Sequence, residues 1–178
     1  MQFGTSPLEI LASAAMLKGL CYLDEFTYTA RFDPTTNTGL GANAQAQVTI
    51  NINSDSDFIA LQYNHEAWSA AGTIVNQPDQ LILLTRQGAG RNIMDQAVPV
   101  INFCGNYAFT DRNYPGYLPI SSLYQGNGSV NVQLTNRTAT NFNTGTARID
   151  FVMRGFKVFY QTNAQGQTGN RQDIFHAL

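Results

Sequence analysis

The residues in this 178-residue chain that could do acid–base, nucleophilic or metal chemistry are few and scattered. The two histidines are His65 and His176. His65 stands beside Glu66, but neighbours on a strand point to opposite faces, so the pair makes no dyad by sequence alone. A general base must lie within hydrogen-bond reach of its target, and a structural or surface role is expected for both. Cys21 and Cys104 lie far apart in apolar runs and read as buried thiols, not as a bridge or as metal ligands. No His/Cys cluster has zinc spacing, and no serine sits in a nucleophile-elbow motif. Asp55 and Asp57 could give two oxygens to calcium, but the surrounding EF-hand pattern is absent; carboxylates satisfying the N–H groups of a turn are expected instead. Gly88-Ala89-Gly90 follows a strand without leading into a helix, so it reads as a hairpin turn and not as a phosphate loop. No catalytic residue, metal ligand or cofactor is expected, and the chain does not read as an enzyme.

The aromatic residues offer a different chemistry, that of contact. Between Asn102 and Tyr124 lie Phe103, Tyr107, Phe109, Tyr114, Tyr117 and Tyr124. Rings cover much area at low entropy cost. They suit three uses: closing one end of a sandwich, packing on a neighbouring subunit, or binding a glycan. Tyr107, Tyr114 and Tyr117 are the candidate partner-binding residues here. Apolar residues near the termini join them: Leu8, Leu11 and Leu17 at one end, Ile174, Phe175 and Leu178 at the other.

Composition narrows the partners. Charged residues make up 12% of the chain, where ordinary domains carry about 25%. Asn and Gln replace them. A surface of amides has little charge to desolvate and suits permanent protein contacts. A net charge of −2 and the absence of a Lys/Arg cluster argue against nucleic acid as a main partner. No apolar run approaches the roughly 20 residues of a membrane span, and no basic segment precedes residues 8–23 to make a signal peptide. The sequons at Asn127 and Asn136 read as accidental.

The elements that must position these groups are mostly strands. Ser6-Pro7-Leu8-Glu9 has the residues of a helix N-terminus, with Ser as cap, Pro at the first position and Glu at the third. Gly19 is a natural stop. From Asp24 the period becomes two: Phe26, Tyr28, Ala30 and Phe32 alternate with polar residues, as do Ala46, Val48, Ile50 and Ile52. Phe58–Asn64 and Leu81–Arg86 read as further strands, with Trp68 in a loop-like region. Val98–Phe103 reads as an edge or short strand because Pro99 cannot donate to a ladder. Ser129–Asn136 alternates cleanly, and Arg148–Tyr160 carries a mid-strand Gly155. Gly126-Asn127-Gly128 supplies a turn with positive φ. About eight strands predict an all-β, jelly-roll-like antiparallel sandwich. An immunoglobulin-type sandwich is the rival, unsupported by the cysteine spacing. The expected division is an N-terminal helix or arm over 1–23, a β-sandwich over 24–161 and a flexible C-terminal arm over 162–178.

Several of these segments resemble accessory virion proteins of tailed bacteriophages, of the jelly-roll capsid cement or decoration type. The segments are Asp55-Ser56-Asp57-Phe58 entering a strand, Gly90-Arg91, and a Pro-bearing loop Leu118-Pro119-Ile120 ahead of Ser129–Asn136. The closing segments Arg148–Phe151 and Gly155–Phe159 complete the pattern, which spans about residues 45–160. The resemblance implies a structural protein on the exterior of the virion that binds the major capsid protein or other virion proteins and reinforces contacts between coat subunits. It also implies a homo-oligomer, dimer or trimer, with no nucleic acid or membrane partner. A head–tail, collar or fibre-anchoring component and a carbohydrate-binding module are the alternatives.

Overall fold

The computed structural model describes residues 15–16, 18–36, 38–75, 79–87, 93–104 and 116–172, with side chains of the strand beginning at Gly116 described from Ser122 onward. The strands are β1 (Cys21–Phe32), β2 (Gln45–Asn51), β3 (Asp57–Trp68), β4 (Gln80–Gln87), β5 (Val98–Pro99), β6 (Gly116–Tyr124), β7 (Ser129–Asn136) and β8 (Arg148–Tyr160). They form two four-stranded sheets, ordered β1-β8-β3-β6 and β2-β7-β4-β5, with every pairing antiparallel. This is jelly-roll order: the chain runs out as β1 to β4 and returns as β5 to β8, so that β1 lies on β8, β2 on β7, β3 on β6 and β4 on β5.

The two-residue period sets which side chains fill the space between the sheets. On β1 these are Tyr28, Ala30 and Phe32, facing Met153, Phe151 and Ile149 across the ladder with β8. On β7 they are Val130, Val132 and Leu134, beside Ile82 and Leu84 of β4. Phe58, Tyr63 and Phe142 belong to the same core. Truncating a ring buried this completely, such as Phe151, costs about 3–5 kcal/mol. The last inward position of β7 is polar. Asn136 is buried, and its amide donates to the Gly41 and Thr140 carbonyls while its oxygen accepts from the Thr138 N–H and hydroxyl. That side chain pins the loops at one end of the sandwich.

A smaller cluster lies on the outer face of the first sheet, where Cys21, Ile59, Leu123 and Val158 pack beneath Ala15 and Leu20. The predicted stop at Gly19 is present: Gly19 has φ +68°, its N–H reaches the Met16 carbonyl, and the Leu20 N–H reaches the Ala15 carbonyl. This hydrogen-bond pair ends a helix, with Leu20 folding back on Ala15 as the accompanying apolar contact. The described end of the N-terminal segment thus packs on its own domain.

Five expectations require correction. β1 starts at Cys21, inside the segment assigned to the N-terminal arm, because Cys21 and Leu23 continue the ladder with β8 over the outer cluster. Trp68 ends strand β3, opposite Arg148, and is not in a loop. Leu118-Pro119-Ile120 lies within β6; the edge position and a register shift there, from Ala60↔Ser122 to Gln62↔Tyr117, accommodate a residue without an N–H. Only Val98 and Pro99 are strand, and Val100–Cys104 turns helical. Residues 162–172 are no free arm: Thr162 bridges Thr168, the Gly169 N–H reaches the Gln161 carbonyl, and Arg171 pairs with Asp57.

Gly155 explains itself once β3 is in place. β3 carries one extra residue, Leu61, against β8, and the backbone there bulges toward the neighbouring strand. A Cβ on Gly155 would collide with the Ile59 carbonyl oxygen.

Candidate functional site

None of the nine residues expected to bind a partner has a described side chain. Leu8, Leu11, Leu17, Tyr107, Tyr114, Ile174, Phe175 and Leu178 lie outside the described residues. Tyr117 is placed by its backbone alone, opposite Gln62 in the β3–β6 ladder.

The polar groups that invite a chemical reading are taken up by the fold. His65 faces the interior, with Nε2 2.8 Å from the Gln80 Oε1, and burial lowers its pKa to about 4, so it is neutral near pH 7. The tautomer that donates to Gln80 fits this arrangement. Cys21 and Cys104 are buried and form no disulfide with each other, and burial pushes the Cys104 thiol up. The Tyr63 and Tyr124 hydroxyls bond each other in the interior; burial raises the pKa of both.

Asp55 and Asp57 point to different partners. Asp55 is exposed and takes a hydrogen bond from the Ser56 hydroxyl and a 3.4 Å ion pair from Lys157. Asp57 is 3% exposed at its side chain and receives Arg171 at both oxygens, at 2.7 Å each. The Gly126 N–H and the Tyr160 hydroxyl donate to it as well, at 2.7 and 2.9 Å. Burial pushes the Asp57 carboxyl up, but the bonds from Arg171, Gly126 and Tyr160 outweigh it and hold its pKa below the usual value. Among the described residues, no group of three or more His, Cys, Asp or Glu could hold a metal ion.

What the fold leaves open is an aromatic shelf. The alternation that turns Tyr28, Ala30 and Phe32 into the core continues back along β1 to Phe26, Asp24 and Tyr22. The ladder sets Tyr22 opposite Phe159 and Asp24 opposite Lys157 on β8. At this end the inward face is uncovered: Tyr22 is 46% exposed and Phe26 36%. Tyr22 and Phe159 stack with centroids 4.7 Å apart and planes 8° from parallel. Lys157 is buried, with its ammonium 4.4 Å from the Phe26 centroid and 5.8 Å from that of Phe159. Asp55 completes its surroundings. A cation held between ring faces fixes both rings, an arrangement worth about 0.5–2 kcal/mol.

The shelf is also anchored from below. Phe26 meets Tyr28 edge-on at 4.8 Å, and Tyr28 meets Phe58 in the same way at 4.9 Å. The Tyr28 hydroxyl accepts the Asn53 N–H at 3.0 Å. The exposed rings therefore end a series of rings rooted in the core, so little ordering entropy remains to be lost when something binds them. Phe26 also lines an open groove of about 660 Å³, with Glu25, Thr27, Leu61, Gln62, Arg154 and Phe156. Chemically, this surface can stack on planar or apolar groups and offer carboxylates to donors; it presents no nucleophile paired with a base.

The alternating aromatics of Phe26–Phe32 and Phe156–Tyr160 were visible in the sequence, but their pairing was not. The Tyr22–Phe159 stack and the Lys157 seat exist only because β1 lies on β8. No protein-family model matches the chain, and no curated protein matches it significantly.

Proposed function

We propose that this chain is a structural virion protein that binds the exterior of a phage capsid and reinforces contacts between coat subunits, without catalysis. The observation that carries this reading is the ordered aromatic shelf on which Tyr22 and Phe26 are exposed and half-buried Phe159 backs Tyr22. Preordered aromatic rings are typical anchors of protein interfaces. Three further observations support it. The jelly roll is an architecture that viral capsid domains use, alongside lectins and cupins. Among the described residues, His65 is buried against Gln80 and both cysteines are buried. The chain carries 12% charged residues, which lowers the desolvation cost of a large contact. The partner is the major capsid protein or another virion protein, and repetition over a closed shell lets avidity stand in for single-site affinity. The resemblance of residues 45–160 to cement and decoration proteins points the same way.

A second reading rests on Tyr22, exposed and stacked on Phe159: a flat ring open on one face also stacks on sugar faces. One experiment separates the two. Purified chain is added to capsid shells lacking it, and bound protein is counted after sedimentation; the same chain is probed on a glycan array. Saturable binding at high copy number per shell, lost in Tyr22→Ala and Phe26→Ala, supports the cement role. About a dozen copies or fewer would indicate a head–tail or collar position. No shell binding together with glycan hits lost in Tyr22→Ala would refute the virion reading in favour of a carbohydrate-binding module.

A further inference from the structure

We propose that the side of the sandwich formed by β1 and β2 is an interface between two copies of this chain, joined by antiparallel pairing of their β1 strands. This goes beyond the capsid reading and stands without it.

The two sides of the sandwich differ in how their edges are protected. On one side lie β5 and β6. β5 is two residues long and contains Pro99, while β6 contains Pro119 and a register shift. Short strands, prolines and bulges are the devices that stop an edge from pairing with another chain. On the other side, β1 and β2 run beside each other. β1 has 12 residues, no proline, and a register against β8 that runs from Cys21 to Phe32 without a shift. β2 adds seven more residues without proline. The protection present on the first side is absent from the second.

The hydrogen-bonding groups of β1 can be assigned. The Leu20 carbonyl accepts the Gln161 N–H at 3.0 Å, continuing the β1–β8 ladder, so even-numbered residues face β8. The odd-numbered residues then turn their N–H and C=O groups away from it. Consistent with this, the Arg31 carbonyl accepts the Thr38 hydroxyl at 3.2 Å on the far side. Between that contact and the strand start, Leu23, Glu25, Thr27 and Thr29 present a row of outward groups; among the described strands β1 pairs only with β8.

Charge selects a second copy as the occupant. Glu25 lies in the first half of β1 and Arg31 in the second, on the same face of the strand; Arg31 is bonded to Asp150 and keeps about half of its side chain exposed. An antiparallel pair about an axis near Thr27 brings Glu25 of each copy diagonally across from the half-exposed Arg31 of the other, twice by symmetry. A parallel pair would instead align like charges. The two aromatic shelves would then lie side by side, making attachment bivalent.

Sedimentation equilibrium of the full chain tests this, with two variants. Thr27→Pro removes an N–H that points away from β8 and leaves the chain's own ladder in place. Glu25→Lys reverses an exposed charge without touching the backbone. The expected result is a dimer in the wild type, and a dissociation constant raised roughly tenfold or more in each variant, with circular dichroism and melting unchanged. If Thr27→Pro fails to fold, Glu25→Lys decides. A wild type monomeric at about 100 μM overturns the proposal, and so does a dimer that Glu25→Lys leaves intact. Loss of the dimer with capsid binding retained, or the reverse, separates this interface from the shelf's role.

Discussion

The ion pair between Asp57 and Arg171 holds the C-terminal segment onto the first sheet, and its contribution can be worked out from its surroundings. Asp57 is almost fully buried and accepts four bonds: two from Arg171, one each from Gly126 and Tyr160. Arg171 is 39% exposed at its side chain, so water can replace part of what it loses. Hydrogen bonds to a charged group contribute about 1.5–3 kcal/mol. Asp57→Asn keeps the shape but turns an amide N–H₂ toward donors, and should cost about 2–3 kcal/mol. Arg171→Gln leaves the carboxylate with Gly126 and Tyr160, and should cost about 1–2 kcal/mol after allowing for its exposure. Because both changes break one interaction, the double variant should cost about as much as Asp57→Asn alone, a coupling of about 1–2 kcal/mol. Urea unfolding of the four proteins measures this.

The pH dependence provides a second readout. The carboxyl of folded Asp57 is held below its unfolded value, so its contribution is complete above about pH 4 and is lost as pH falls through the folded pKa. Asp57→Asn should flatten that acid limb. Limited proteolysis should cut residues 162–172 faster in Arg171→Gln while sparing the strands. Additive single costs, with coupling under about 0.3 kcal/mol, would mean that Arg171 is effectively solvated and that the segment is held by something else.

Three further outcomes are expected. Gly155→Ala should cost about 3 kcal/mol or more, because the new Cβ meets the backbone of β3 and not a yielding side chain; a calorimetric melt unchanged from wild type would contradict the close approach at the bulge. His65 is neutral when folded, with pKa about 4, but takes a proton near pH 6.5 when unfolded. Stability should therefore fall by about 3 kcal/mol between pH 6.5 and 4, and His65→Gln should lack that part of the loss in urea titrations at each pH. Lys157→Met should loosen the shelf without exposing the core; the Tyr22 and Phe159 ring resonances in NMR spectra should broaden or shift, while Phe151 stays fixed.

The order of strands was legible because each carries its own local signal. Ser129–Asn136 alternates so regularly that its buried face could be read directly, and the Gly19 stop rests on a backbone conformation glycine favours. Pro119 misled for a physical reason: it rules out a central strand but not a bulged edge, and edge status belongs to the sheet. The polar stretch 162–172 read as free because composition records the absence of apolar residues; it does not record that one arginine within it meets a buried carboxylate 114 positions away.

By itself, then, the sequence determined the class of the fold. Periodicity, turns and caps act over a few residues, and they specify an antiparallel sandwich with few charges. Only the tertiary structure decided what lies open. The pairing of β1 with β8 made the shelf from rings that a linear reading separates by more than 130 residues. The jelly-roll order left one side of the sandwich with long unbroken edges. Both depend on which strands become neighbours, and that choice is made by the packing of the whole core, not by any segment's own preference.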